Sequence, residues 1–134
     1  MEIKTELSRT AMLLGTDAVE KLTGARVAVF GLGGVGGALC EALARASVGE
    51  LILIDGDRIS LSNINRQIIA LHSTVGQLKT EAMARRVADI NPDCRVTIHS
   101  IFYGADNADT VDFSGLDYVA DAIDTVTSKL IIIQ

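Results

Sequence analysis

Short apolar blocks, set apart by glycines and polar turns, give this chain its rhythm. "RVAVFG" and "ELILID" are continuous apolar runs of strand length, the pattern of strands covered on both faces. "RVTIHS" and "DYVADAID" predict a third and a fourth strand. Between them the period lengthens. "LGGVGGALCEALARASVG" carries Leu39, Ala42, Leu43 and Ala46 at helical spacing, and "QLKTEAMARRVADIN" carries Leu78, Met83, Val87 and Ile90 before Asn91-Pro92 stops it. Ahead of the first strand, "ELSRTAMLLG" closes on Gly15 and "TDAVEKLTG" opens at Thr16 and closes on Gly24, which predicts a pair of short helices. "NADTVDF" reads as a short helix, "GDRISLSNINRQIIALHSTVG" as a long connection, and "TVTSKLIIIQ" as the start of a last helix. The β-α-β-α-β-(α)-β order predicts a Rossmann-like α/β fold: a parallel sheet with right-handed crossovers, strand order 3-2-1-4, and helices on both faces.

The 134 residues suit one globular unit. We divide them into N-terminal helices over 1–24 and a nucleotide-binding half-domain over 25–134. The closing helix ends on Leu130–Ile133 with no polar cap, so a longer protein is expected to continue beyond it. Mean hydropathy is +0.34, yet no apolar run approaches the ~18 residues of a membrane span. "MEIKTELSR" has no signal-peptide core, and the expected location is the cytoplasm. Net charge is -5, which argues against a free-standing nucleic-acid binder without excluding a local basic patch. Cys40 and Cys94 have no metal-ligand spacing and suit a reducing compartment.

Gly31-Leu32-Gly33-Gly34-Val35-Gly36 fits G-x-G-x-x-G between a strand and a helix, the context that motif requires. Gly31 permits the tight turn, Gly33 lets backbone approach phosphate, and Gly36 allows close packing of helix on strand. Helix N–H groups then face an anion. Asp55, ending the second strand, stands where an acid holds ribose hydroxyls. These features point to a nucleotide without saying which one.

The next cluster narrows the choice. Asn63, Arg66 and Gln67 of "NINRQ" lie beyond the carboxyl end of the second strand, and Lys79 opens the following helix. Arg66 offers a planar fork for phosphate and Lys79 a point charge. Asp124, placed at the end of the fourth strand, is the candidate Mg²⁺ ligand. A triphosphate under attack at its α-phosphorus needs such a set; a nicotinamide enzyme leaves Arg66 and Lys79 without work. Competing structural roles are turn caps for Asn63 and Asn65, a solvated helix position for Lys79, and an N-cap for Asp124.

From Leu7 to Lys129 the chain resembles the adenylation domain of the E1-like ThiF/MoeB/HesA superfamily. "LSRTAMLLG", "VAVFGLGGVGG", "LILIDGDRISLSNINRQIIALHSTVGQLK", "INPDC" and "DYVADAIDTVTSK" carry the likeness, and the set is most similar to the tRNA threonylcarbamoyladenosine dehydratase branch. The resemblance implies adenylation of a carboxylate with ATP and Mg²⁺. Gly31, Gly33, Gly34 and Gly36 would hold ATP, Asp55 its ribose, and Asp124 the metal ion. Asn63, Arg66, Gln67 and Lys79 would contact phosphates, with Arg66 and Lys79 catalytic. Arg9 matches an arginine that family homodimers send into the partner's site; its plainer role is a surface charge. In this branch the carboxylate belongs to the modified adenosine at position 37 of tRNA; in others it is the terminal glycine of a ubiquitin-like sulfur carrier. Two further classes stay open, an NAD-dependent oxidoreductase selected by Asp55 and a non-catalytic nucleotide-binding module. Cys40, Cys94, His72 and His99 read as structural, and Arg85 and Arg86 as a solvated face or an RNA-facing patch. The family's catalytic cysteine would follow residue 134.

Overall fold

β1 (Arg26–Phe30) and β2 (Glu50–Ile54) are the central strands of a four-stranded parallel sheet in the computed structural model, which describes every residue from Met1 to Gln134. β3 (Arg95–His99) adds to β2 and β4 (Tyr118–Asp121) to β1, so the order is β3-β2-β1-β4 as expected. Burial explains the composition of each strand. In both central strands the last four residues are buried, and each apolar side chain fully removed from water contributes about 1.5–3 kcal/mol. The outer strands are half exposed and correspondingly more polar.

The two faces of the sheet are covered unequally. Val27, Val29, Leu51 and Leu53 point toward α3 (Gly34–Arg45) and α4 (Lys79–Ile90), in a core of 16 buried residues that includes Cys40, Met83 and Val87. Ala28, Phe30, Ile52 and Ile54 face Tyr103, Val111 and the half-buried Ile131 and Ile132 of α5 (Val126–Ile133). Glu41 of α3 accepts hydrogen bonds from Arg86 of α4 at 3.2–3.3 Å and ties the two helices together. Arg86 is therefore a packing residue, which corrects its reading as solvated. The N-terminal pair forms as α1 (Ser8–Leu14) and α2 (Thr16–Thr23), separated by Gly15 and preceded by one 3-10 turn at Thr5–Leu7. No helix is long and apolar enough to cross a membrane.

Three local expectations are corrected. The buried stripe of α3 is Gly36, Gly37, Cys40 and Ala44, whereas Ala42 is exposed and Leu39 and Leu43 only flank the core. "NADTVDF" makes a single 3-10 turn at Ala108–Thr110. The fourth strand stops at Asp121, because the Asp121 carboxylate accepts the Ile123 N–H at 3.1 Å and turns the chain out of the sheet.

Candidate functional site

Beyond the carboxyl ends of β1, β2 and β4 lies a cleft of about 460 Å³. Its floor is the glycine loop. Gly31 has φ +92°, and a Cβ there would lie 2.6 Å from the Ala122 carbonyl oxygen, so both conformation and space demand glycine. A Cβ on Gly36 would lie 1.7 Å from the Gly31 carbonyl oxygen. These contacts bring the start of α3 against the turn, leaving the first-turn N–H groups of α3 without intrahelical partners. Gly33, the N-cap, makes no side-chain cap, so nothing shields those groups from an anion.

Asp55 holds this floor. Its Oδ2 accepts the Leu32 N–H at 2.7 Å and its Oδ1 the Asp57 N–H at 2.7 Å. The carboxylate thereby couples loop to strand end and keeps further lone pairs free at the cleft.

The long connection doubles back on itself. Lys79 N–H donates to the Asp57 carbonyl at 3.0 Å, Ile59 N–H to Gln77, and Gly76 N–H to Ile59, while Arg58 and Leu78 form an antiparallel bridge. This return delivers Lys79 to the cleft from a position 24 residues after Asp55 in sequence. Within the connection Ser60 and Asn63 form a reciprocal capping box: Asn63 Oδ1 accepts the Ser60 N–H at 2.9 Å, while its amide nitrogen makes no hydrogen bond. Asn63 is thus both a cap and a cleft residue. Arg66 Nη1 donates to Ser62 O and Asn65 Oδ1, both at 3.0 Å, so Asn65 aims Arg66 and does not itself line the cleft.

Two polar residues of the cleft are poorly served by the rest of the chain. Lys79 is only 6% exposed, yet its Nζ has no hydrogen bond and its nearest carboxylate, Asp57 Oδ2, is 3.9 Å away. Gln67 is 7% exposed and its Oε1 is buried with no partner. Leaving a buried polar group unsatisfied costs about 1–3 kcal/mol, and more for a charge. Both residues line the cleft, and a ligand with acceptors offers Lys79 the partner that the chain does not supply.

Gly31, Gly33, Asp55, Asn63, Arg66, Gln67, Lys79 and Asp124 converge on this cleft. Gly34 and Gly36 support the floor without lining it, and Arg9 lies exposed on α1, away from it. Asp124 is exposed three residues past β4, not at its end, and its carboxylate makes no hydrogen bond or ion pair. The N-cap of α5 is Thr125, so Asp124 does not cap that helix. No group of three or more His, Cys, Asp or Glu could hold a metal ion. A single free carboxylate beside this cleft is compatible with Mg²⁺, which is commonly held by one or two carboxylates together with phosphates and water.

A protein-family model described as the ThiF family matches residues 7–134. The chain belongs to the ThiF family. It is 45% identical over 125 residues to the tRNA threonylcarbamoyladenosine dehydratase of Bacillus subtilis, covering 93% of this chain and 49% of that protein. It is 40% identical over 124 residues to the molybdopterin-synthase adenylyltransferase of Salmonella typhimurium, covering 91% and 49%. A crystal structure of the Escherichia coli tRNA N6-threonylcarbamoyladenosine dehydratase in complex with ATP superposes with a TM-score of 0.93 at 42% identity, covering 99% of this chain and 56% of that one. The chain spans about half the length of the relatives it matches.

The ThiF-family cleft also contains residues that pattern reading missed. Phe102, 68% exposed, lies against Gly56, where a Cβ would come within 2.6 Å of its ring, and both line the cleft. Ser128 Oγ donates to the Tyr103 carbonyl at 2.7 Å and fixes α5 to the same wall. The cysteines stay structural. Burial pushes the Cys40 thiol up to about 12 and also raises that of Cys94, which keeps both protonated and inert.

Proposed function

We propose that this chain is the ATP-binding half of a carboxylate-adenylating enzyme that uses Mg²⁺. The observation that carries the reading is Lys79, whose side chain is largely buried while its ammonium group opens on the glycine-loop cleft with only Asp57 Oδ2 nearby, at 3.9 Å; a cation so loosely paired is available to a phosphate. The phosphates rest on the N-terminus of α3, the ribose beside Asp55, and the base against the Phe102 wall. In the reaction a carboxylate oxygen attacks the α-phosphorus and the bond to pyrophosphate breaks. Arg66 and Lys79 neutralise charge as it builds on the α-phosphate and the leaving group. Asp124 would hold Mg²⁺, and the ion would supply further neutralisation of phosphate charge.

The substrate we favour is the threonyl carboxylate of N6-threonylcarbamoyladenosine in tRNA. Once it is an acyl-adenylate, a nitrogen of the same modification attacks its carbonyl carbon, AMP leaves, and a ring closes with net loss of water. Identities of 45–49% to bacterial proteins bearing the corresponding dehydratase name support this over the sulfur-carrier alternative. The protein acts as a homodimer in the cytoplasm, with Arg9 reaching the partner's ATP; the exposed Met12, Leu13 and Leu14 beside it give that contact an apolar surface. Residues 1–24 serve this assembly and residues 25–134 the nucleotide.

ATP–pyrophosphate exchange tests the proposal, with tRNA bearing the modification compared against a ubiquitin-like carrier. Exchange that depends on the tRNA and collapses in Arg66→Ala is expected. Dependence on the carrier moves the chain to the other branch. ATP binding without exchange on either substrate reduces it to a nucleotide-binding module.

A further inference from the structure

Arg66 differs from the chain's packing arginines in what it binds. Arg26, Arg45, Arg86 and Arg95 each pair with a carboxylate, whereas Arg66 forms no ion pair and donates only to neutral oxygens. Its charge is therefore left unneutralised at the cleft that it lines.

Its placement builds up from the backbone. The Ser60–Asn63 capping box fixes the 3-10 turn Leu61–Asn63. The Arg66 N–H then donates to the Asn63 carbonyl at 3.2 Å, so the side chain starts from a fixed backbone. At its far end a single nitrogen, Nη1, donates twice, to Ser62 O and to Asn65 Oδ1, each at 3.0 Å. A terminal guanidinium nitrogen carries two hydrogens, so Nη1 is fully used. What stays free is the edge formed by Nε–H and Nη2, an edge that can hold two oxygens of one phosphate. The Asn65 side chain has no other partner, so its amide caps no turn.

We propose that Asn65 is a positioning residue for phosphate recognition: with Ser62 O it holds Nη1, so that Arg66 meets the phosphate chain through its Nε–Nη2 edge. The identity of the ligand rests on the adenylation reading; the choice of edge rests on the hydrogen bonds alone. Without Asn65 the guanidinium keeps one of its two anchors, and the ligand has to order it. Ordering a long side chain in advance is worth about threefold to tenfold in affinity.

A double-mutant cycle tests this, read by calorimetric titration of the chain with ATP–Mg²⁺ and with inorganic tripolyphosphate. Asn65→Leu removes the acceptor and keeps the shape. It should weaken both ligands about threefold to tenfold in the wild-type chain and have no further effect in Arg66→Ala. The thermal midpoint should stay within about two degrees, because the amide is exposed. In heteronuclear spectra of the isotopically labelled chain, the Nε–H resonance of Arg66 should move as tripolyphosphate is added. An equal loss in the Arg66→Ala background would make Asn65 a direct ligand or a fold residue and overturn the assignment. Unchanged affinity in Asn65→Leu, or binding that leaves the Arg66 Nε–H resonance in place, would overturn it too. Tripolyphosphate bound through an intact cycle with ATP silent would uphold the edge and end the adenylation reading; silence from both ligands would end both.

Discussion

The start and the end of the same sheet treat charge in opposite ways. Where β1, β2 and β3 begin, Glu50 accepts from Arg26 at 2.6 Å and from Arg95 at 3.1 Å, and the Arg26 N–H donates to Asp117 at 2.8 Å. The hydrogen bond and charge of Glu50 hold the Arg26 guanidinium protonated even more firmly than usual. Where β1 and β2 end, Lys79 and Gln67 are more deeply buried and less well served. The fold keeps the first set of polar groups for itself and leaves the second for a ligand. Charges that close the start of the strands are paired closely within the chain; at the cleft Lys79 has only Asp57 at 3.9 Å and Asp124 has no partner.

The comparison can be broken from either side. The largest effect is expected from Gly36→Val, whose Cβ meets the Gly31 carbonyl: the chain should lose more than about 4 kcal/mol of stability or fail to fold, as read by chemical denaturation. Lys79→Met is the sharper test. It should lower ATP affinity about tenfold to a hundredfold by calorimetry, while stability changes little, because the largely buried stem keeps its packing and the only ion pair lost is the loose one to Asp57. Glu50→Ala should do the reverse, lowering the thermal midpoint by about a few degrees and leaving ATP affinity unchanged. The smallest effect belongs to Gly37→Ala. A Cβ there meets Ile68 and Met83 at an ordinary 3.6 Å, so helix propensity alone should add about 0.5–1 kcal/mol.

Strand order was legible because apolar runs alternating with helical periods admit few topologies. The phase of α3 was not, since its buried face begins with Gly36 and Gly37, which carry no side chain for a hydrophobic pattern to register. The glycine loop and "NINRQ" announced a site through residue type and place. The depth of Lys79 was invisible, because it follows from the connection after β2 zipping back onto itself. Phe102 escaped notice for a related reason: only the fold brings the segment after β3 against Gly56. Asp124 was named as a cleft residue while its place at a strand end was wrong, since Asp121 had already turned the chain.

A cleft built for a triphosphate binds ATP and ignores NAD. In calorimetric titrations of the chain with ATP–Mg²⁺ and, separately, with NAD, saturable ATP binding and silence from NAD are expected; NAD binding with ATP silent would show that the cleft serves a dinucleotide instead.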